Sequence, residues 1–249
     1  MSNFWHENMI LKTYRGSIAY GTNITSKMAK KTGLKESDKD TMGICIPPLE
    51  HYFGLPGISI VGFEQHEDKD TDEVIYSLKK YLNLASQCNP NIVEMLFVND
   101  NHIVHQTLLG QRLIDNRYLF LTKRVKHTYS GYAYSQMQKL KIKQENMTGR
   151  KELAETYGYD VKFASHVIRL LTMGLEALVE GELIVNRPNK ALLMDIRMGK
   201  YTLKEIDDMA KSLNDKLETA YISSQLPNKP DYKKIHQLCI DMHEEFFKL

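Results

Sequence analysis

The first hundred residues contain short apolar runs between polar turns, a pattern that predicts strands. Pro47 and Pro48 end one of these runs. A charged stretch over Glu64–Asp70 is predicted to form a hairpin-like turn, and the lysine-rich residues 18–37 are predicted to be a loop with about one helical turn. The predicted strands are Met9–Tyr14, Thr41–Ile46, Ile58–Phe63 and Thr71–Ile75.

From Tyr76 onward the apolar residues recur every three or four positions, which predicts amphipathic helices. Leu78, Tyr81, Leu82 and Ala85 give the first such pattern. Asn89 followed by Pro90 is typical of a helix start. The later predicted helices are Gln106–Arg117, Leu119–Gln144, Lys151–Thr156, Val161–Glu180, Lys190–Arg197, Leu203–Ala220 and Tyr232–Lys248.

Strands in front and helices behind predict an α+β protein. We expect a sheet domain over residues 1–118 and a helical domain over residues 119–249. With 249 residues, 42% of them hydrophobic, the chain can form one large or two small domains with cores of their own.

Two short motifs carry candidate chemistry. Gly16 and Ser17 form a small-residue turn of the kind that lets phosphate oxygens approach backbone N–H groups. Asp38 and Asp40 are one residue apart, so on a strand their carboxylates share a face, and a divalent metal is the usual way to relieve their repulsion. Both motifs also occur by chance in ordinary loops. An EF-hand is excluded because positions five and twelve of such a loop would be Met42 and Leu49.

The composition of the chain indicates in which class of protein and in which compartment this chemistry would take place. No apolar run approaches the roughly 18 residues of a membrane helix, and the first residues lack the features of a secretion signal. Three widely spaced cysteines predict neither a disulfide framework nor a zinc site, so we expect a cytoplasmic protein with no membrane partner. The net charge of +2 does not by itself indicate nucleic acid, although lysines cluster before Asp38.

Further short motifs follow one another along the chain. Together with the first two they are Gly16–Gly21, Ser37–Ile44, Pro47–Pro48, Tyr76–Leu78, Asn89–Pro90, Glu94–Leu96, Gly131–Ala133 with Gln136, Tyr157–Lys162, His166, Arg169–Leu170 and Ile196–Gly199. In this order they resemble the nucleotidyltransferases of the DNA polymerase beta superfamily that are linked to RNA repair, the RNA-ligase-associated family. The resemblance covers roughly residues 9 to 207. The link from Gly16-Ser17 to Asp38 is longer than in the compact family pattern, and the extra residues are the lysine-rich Ser26–Leu34.

The resemblance implies a mixed nucleotidyltransferase sheet with flanking helices, and transfer of a nucleoside monophosphate from a nucleoside triphosphate to an acceptor hydroxyl. Two Mg²⁺ or Mn²⁺ ions would be held by Asp38, Asp40 and Asp72, because hard cations prefer oxygen ligands. Gly16 and Ser17 would hold the triphosphate. Asp72 is favoured over Asp68, Asp70 and Glu73 as the third acid.

Three cationic residues lie on one predicted helix. Lys162, His166 and Arg169 are spaced i, i+4 and i+7, so they share a stripe that could contact phosphate or ribose beside the apolar face of the helix. Neither Lys162 nor Arg169 is expected among the buried residues. The alternative interpretation is a solvated helix face with Asp160 as its N-cap.

The acceptor class stays open. RNA is the expected partner besides the nucleoside triphosphate, at a broken or processed end. Alternatives are a small molecule or a protein as acceptor, or a catalytically idle protein that binds nucleotide or RNA. The sequence does not indicate which base is used or what the oligomeric state is.

Overall fold

A computed structural model describes residues 4–32, 35–55, 65–68, 71–142 and 156–249. The predicted strand Ile58–Phe63 and all but the last residue of the predicted helix Lys151–Thr156 lie outside this part of the chain. The described residues form two compact units, residues 1–120 with 230–249, and residues 121–229. By this division residues 230–249 belong to the same unit as the sheet.

A five-stranded mixed sheet is the centre of the first unit. Its order is β3-β4-β2-β1-β5, with β2 and β4 parallel and the other neighbours antiparallel. All five residues of β2 are buried, as expected for a central strand. The strands are β1 (Met9–Tyr14), β2 (Thr41–Cys45), β3 (Gln65–Asp68), β4 (Glu73–Ser77) and β5 (Ile103–Gln106).

Helices of the first unit flank this sheet. Ser77 caps α5 and Asn89 caps α6, each by accepting a backbone N–H, and Pro90 occupies the first position of α6 as the sequence predicts. Gly110 lets α7 approach β1, because a Cβ there would lie 2.2 Å from the carbonyl oxygen of Ile10. The helices are α1 (Phe4–Glu7), α2 (Gly16–Ala19), α3 (Ser26–Thr32), α4 (Glu50–Phe53), α5 (Leu78–Ser86), α6 (Pro90–Val93) and α7 (Leu108–Asp115).

The second unit is a helical bundle built around α9. Asp160 caps α9 through the N–H groups of Lys162 and Phe163, and Gly181 ends it in the left-handed conformation. The helices α8, α10 and α11 all pack on α9. These helices are α8 (Arg124–Ile142), α9 (Val161–Glu180), α10 (Lys190–Arg197) and α11 (Leu203–Ser223), and the first unit ends with α12 (Tyr232–Phe247).

Two motifs of the second unit pack against each other. Gly199 has φ +70°, and a Cβ there would lie 2.1 Å from the ring of Tyr157. The hydroxyl of Tyr159 donates to the carbonyl oxygen of Tyr201 at 2.5 Å. The stretches around Tyr157 and Gly199 therefore have a packing role in this unit.

The α+β architecture predicted from the sequence is confirmed. Two strands were missed or misplaced, however. β3 occupies residues predicted to be a turn, and β5 was not predicted, because both are four-residue strands at the edges of the sheet, too short to show a periodic apolar pattern. Within the described part of the chain, no helix combines the length and apolar character that a membrane span requires.

Candidate active site

The Gly-Ser turn lies directly after β1. Gly16 has φ +65°, a left-handed conformation that favours glycine, and it begins the single-turn helix α2. The N–H of Arg15 donates to the carbonyl oxygen of Asp40 at 3.0 Å, which extends the β1–β2 pairing by one step. The turn and the second aspartate are therefore joined through the backbone.

The Asp40 side chain lies against this turn. A Cβ built on Gly16 would be 2.8 Å from Oδ2 of Asp40, closer than a real side chain allows. Glycine at position 16 thus leaves room for a carboxylate beside the backbone. Asp40 is half-buried and directly precedes the central strand β2, so its carboxylate is held at the start of that strand and still reaches solvent.

Asp38 has a more open environment. Its side chain is 55% exposed, and Oδ1 lies 3.4 Å from the ammonium group of Lys35. The preceding residue is firmly anchored, because Ser37 accepts the N–H of Ile24 with its hydroxyl at 2.8 Å and donates its own N–H to the carbonyl oxygen of Ile24 at 3.0 Å. The aspartate pair therefore begins at a fixed point of the chain.

Asp72 lies before β4 rather than within it, which corrects the predicted strand Thr71–Ile75. It is exposed, has φ +50°, and belongs to the turn between β3 and β4. Its carbonyl oxygen accepts the N–H of Thr41 at 3.2 Å. The starts of β2 and β4 are thereby held side by side, which brings the backbone of Asp72 next to the residue that follows Asp40.

Glu73 has the opposite character. It is 4% exposed, and its carboxylate binds Lys12 and, at 2.6 Å, His6. The hydroxyl of Thr41 donates to it at 3.4 Å. Burial opposes ionisation of Glu73, but the hydrogen bonds from Lys12 and His6 outweigh it and lower the pKa of the carboxyl. Glu73 is therefore satisfied by protein cations.

Sheet register separates Glu73 from the aspartates. Glu73 pairs with Thr41 in the parallel ladder, and alternation places Ile75 on the same face as Glu73. Ile75 packs there with Phe4, Met9 and Cys45. The face that carries Glu73 is thus partly an apolar layer covered by the N-terminal helix, and Glu73 is a poor candidate for the third metal ligand.

A buried glutamate supports the Gly-Ser turn from another side. Glu94 is 5% exposed and accepts the hydroxyl of Tyr20 at 2.6 Å. Tyr20 directly follows α2, so this bond ties the turn to the 3-10 helix over Glu94–Phe97. Glu94 and Tyr20 belong to stretches that carry the resemblance, but the sequence alone does not indicate that they form a pair.

A hard metal ion needs several oxygen ligands at once. Among the described residues, no group of three His, Cys, Asp or Glu side chains is close enough to hold a metal ion. The donors at the edge of the sheet nevertheless fit a hard cation in kind, since they are carboxylates. The 3.4 Å contact of Lys35 with Asp38 shows that this position accepts a cationic group.

The predicted cationic stripe lies in the second unit, on α9. Lys162 is exposed and His166 is half-buried, with its ring 5.3 Å from that of Tyr132. Arg169 is only 3% exposed, and its guanidinium contacts Nδ1 of His166 at 3.2 Å and the sulfur of Met173 at 3.0 Å. The expectation that Arg169 lies outside the buried face is therefore wrong.

Comparison with known proteins decides the family. A family model described as RNA repair pathway DNA polymerase beta family (RlaP) matches residues 5–241, nearly the whole chain. The chain belongs to this family. The RlaP match confirms the resemblance drawn from the motifs and extends it to the last helix.

One curated relative of the RlaP chain was found in enterobacteria phage T4. The chain is 27% identical over 158 residues to the uncharacterized 38.9 kDa protein in the nrdC-mobD intergenic region of that phage. The match covers 58% of the present chain and 42% of the phage protein's length. No solved structure matches the chain.

The contact between Gly16 and Asp40 predicts a strong effect of a single methyl group. In the nucleotidyl-transfer reaction proposed below, Gly16→Ala should lower the rate roughly tenfold or more, because the new Cβ, 2.8 Å from Oδ2, would push the Asp40 carboxylate aside by about half an ångström. Gly181→Ala is the matched control: its φ is +71°, but nothing lies within 4 Å of the added Cβ. Single-turnover rates of both variants check this, and equal losses would contradict it.

The ion pairs of Glu73 predict that this residue stabilises the fold and that Asp72 does not. Glu73→Ala should destabilise the protein by about 3 kcal/mol, because Lys12 and His6 lose their carboxylate partner. Asp72→Asn should change the unfolding free energy by less than about 0.5 kcal/mol, because the residue is exposed and Asn tolerates a positive φ. Urea unfolding measures both. A larger loss in Asp72→Asn would contradict this division of roles.

Burial predicts different outcomes for two residues of the stripe. Arg169→Ala should cost about 2 kcal/mol or more, because it leaves a cavity inside the helical unit. Lys162→Ala should leave the melting temperature within about 1 °C, since surface changes cost little. Thermal unfolding of the two variants provides the comparison, and equal melting temperatures would show that Arg169 adds nothing to the packing.

Proposed function

We propose that the protein is a metal-dependent nucleotidyltransferase that transfers a nucleoside monophosphate from a nucleoside triphosphate to a hydroxyl of RNA, at a broken or processed end. The observation that carries the proposal is the Asp40 carboxylate placed against the left-handed Gly16 turn. Membership of the RlaP family supports the reaction class and the link to RNA repair. The metal, the acceptor and the residue roles are part of the proposal.

In this proposal Asp38, Asp40 and Asp72 would hold two Mg²⁺ or Mn²⁺ ions, which requires the three carboxylates to come closer together than they are among the described residues. Bound metal would lower the pKa of the acceptor hydroxyl and neutralise charge that develops on the phosphate oxygens. The protein's own contribution is positional. Gly16 and Ser17 would bind the β and γ phosphates through the backbone and the hydroxyl. The two Ser37–Ile24 hydrogen bonds anchor the backbone next to Asp38.

For α9, in the second unit, we propose separate contacts with phosphate or ribose. Lys162 is the exposed cation and would bind phosphate directly. Arg169, being buried, would act on substrate through His166, whose Nδ1 it contacts at 3.2 Å. We therefore assign Arg169 a positioning role and His166 the contact with ribose or phosphate.

Transfer assays with Asp40→Asn test the proposal. Wild-type protein, total RNA, Mg²⁺ or Mn²⁺ and each α-labelled nucleoside triphosphate should yield labelled RNA, and Asp40→Asn should abolish the label. Asp100→Asn, which removes an exposed acid of the same unit, should keep full activity. The melting temperature of Asp40→Asn should stay unchanged or rise, because a repelling charge is removed.

Other outcomes of the same assay would redirect the proposal. Label on a small molecule or on protein would identify a different acceptor for the same chemistry. Absence of label under every condition would favour a protein that only binds nucleotide or RNA. A clear drop in melting temperature for Asp40→Asn would mean that the carboxylate has a structural role.

A further inference from the structure

The helix α3, residues Ser26–Thr32, is an exposed excursion between the Gly-Ser turn and the aspartate pair. None of its residues is buried. Its stem is closed by the two Ile24–Ser37 hydrogen bonds and by the hydroxyl of Ser26, which donates to Glu36 at 2.6 Å. Ile24 is 3% exposed, so the stem is anchored in the core. The helix therefore projects from a rigid base beside Asp38.

Charge on this excursion is unlike that of the whole protein. Residues 25–39 contain five lysines and two acids, whereas the whole chain of 249 residues carries a net charge of only +2. Within α3 itself, Lys27, Lys30 and Lys31 are all exposed and no acid is present. Among the described residues, none of these three lysines forms an ion pair.

Spacing gives the three lysines a common direction. Lys27 is three and four residues from Lys30 and Lys31, so their Cβ atoms lie about 5–6 Å apart on one side of the helix. A row of ammonium groups on an exposed surface is self-repelling and contributes nothing to the core. It suits a partner that carries a row of negative charges, and a nucleic-acid backbone has that pattern.

We propose that the lysine helix, defined as α3 with Lys27, Lys30 and Lys31, binds the phosphate backbone of the RNA acceptor and guides its end towards Asp38 and Asp40. This inference rests on the proposed function for the identity of the acceptor. Because lysine contacts phosphates as a point charge, the surface should bind RNA without sequence preference.

Salt dependence of RNA binding tests the lysine helix without any catalysis. A labelled single-stranded RNA of twenty nucleotides is titrated with protein at several KCl concentrations, in the absence of nucleoside triphosphate, and its fluorescence anisotropy is followed. In the Lys27→Gln, Lys30→Gln, Lys31→Gln variant the slope of log K against log salt should decrease in magnitude by about 2, since each lost phosphate contact contributes about 0.7. The melting temperature should not change, because these side chains are unburied.

Control variants distinguish RNA binding by α3 from a general effect of removing positive charge. Changing Lys229, Lys233 and Lys234 to Gln removes the same charge from exposed positions elsewhere and should keep the wild-type slope. Replacing the three lysines of α3 by Arg should also keep it. An unchanged slope in the α3 Gln variant, or an equal decrease in the control, would overturn the inference. Loss of binding to phosphatidylserine vesicles but not to RNA would also overturn it.

The anisotropy experiment and the transfer assay test the two proposals independently. If wild-type protein labels RNA but the α3 Gln variant keeps its slope, the inference about α3 is wrong and the proposed function stands. If no RNA is labelled but the slope decreases as expected, the RNA surface stands and the proposed reaction is wrong.

Discussion

The parallel pairing of β2 with β4 is the constraint on which the candidate site depends. It places Thr41 opposite Glu73. The N–H of Thr41 donates to the carbonyl oxygen of Asp72, the residue before Glu73. The buried carboxylate of Glu73 strengthens this register through Lys12 on β1 and His6 on α1. A shift by one residue would turn Glu73 away from Lys12 and His6 and turn Ile75 out of the apolar layer, so the register is strongly specified.

Two further features support the site, one in the backbone and one between side chains. The left-handed Gly16 turn leaves room for the Asp40 carboxylate, and the Tyr20–Glu94 hydrogen bond holds the helix that follows this turn. The Ser37–Ile24 pair lets a lysine-rich helix be inserted between the two motifs without moving the aspartates. The long link between Ser17 and Asp38 is thus compatible with the contact between Gly16 and Asp40.

Local signals in the sequence predicted the elements that local physics determines. The period of α5, the Asn89–Pro90 start of α6 and the bounds of β1, α9 and α10 follow from apolar spacing and capping residues. The parts that depend on distant residues were not predictable in this way. Glu73 resembles any strand-edge acid until His6 and Lys12, more than sixty residues away, are known to contact it.

The position of Asp72 shows the same limit. The acidic-then-apolar pattern placed it on a strand, but Asp72 has a left-handed backbone and lies just before the strand begins, and the sequence of the turn does not indicate this conformation. The burial of Arg169 likewise depends on how α9 packs in its own unit, whereas its i+7 spacing from Lys162 suggested only a shared stripe. The one available hint for Glu73 was its spacing from the buried Ile75, two residues later on the same face.

Metal affinity measured by Mn²⁺ electron paramagnetic resonance tests the central claim, that aspartates at the starts of β2 and β4 form the metal site while Glu73 is structural. Titrations with a non-hydrolysable nucleoside triphosphate analogue would compare wild type with Asp40→Asn, Asp72→Asn and Glu73→Gln. We predict that both aspartate variants weaken Mn²⁺ binding by roughly tenfold or more, and that Glu73→Gln binds Mn²⁺ as wild type does. Loss of Mn²⁺ binding in Glu73→Gln with retention in Asp72→Asn would contradict the account.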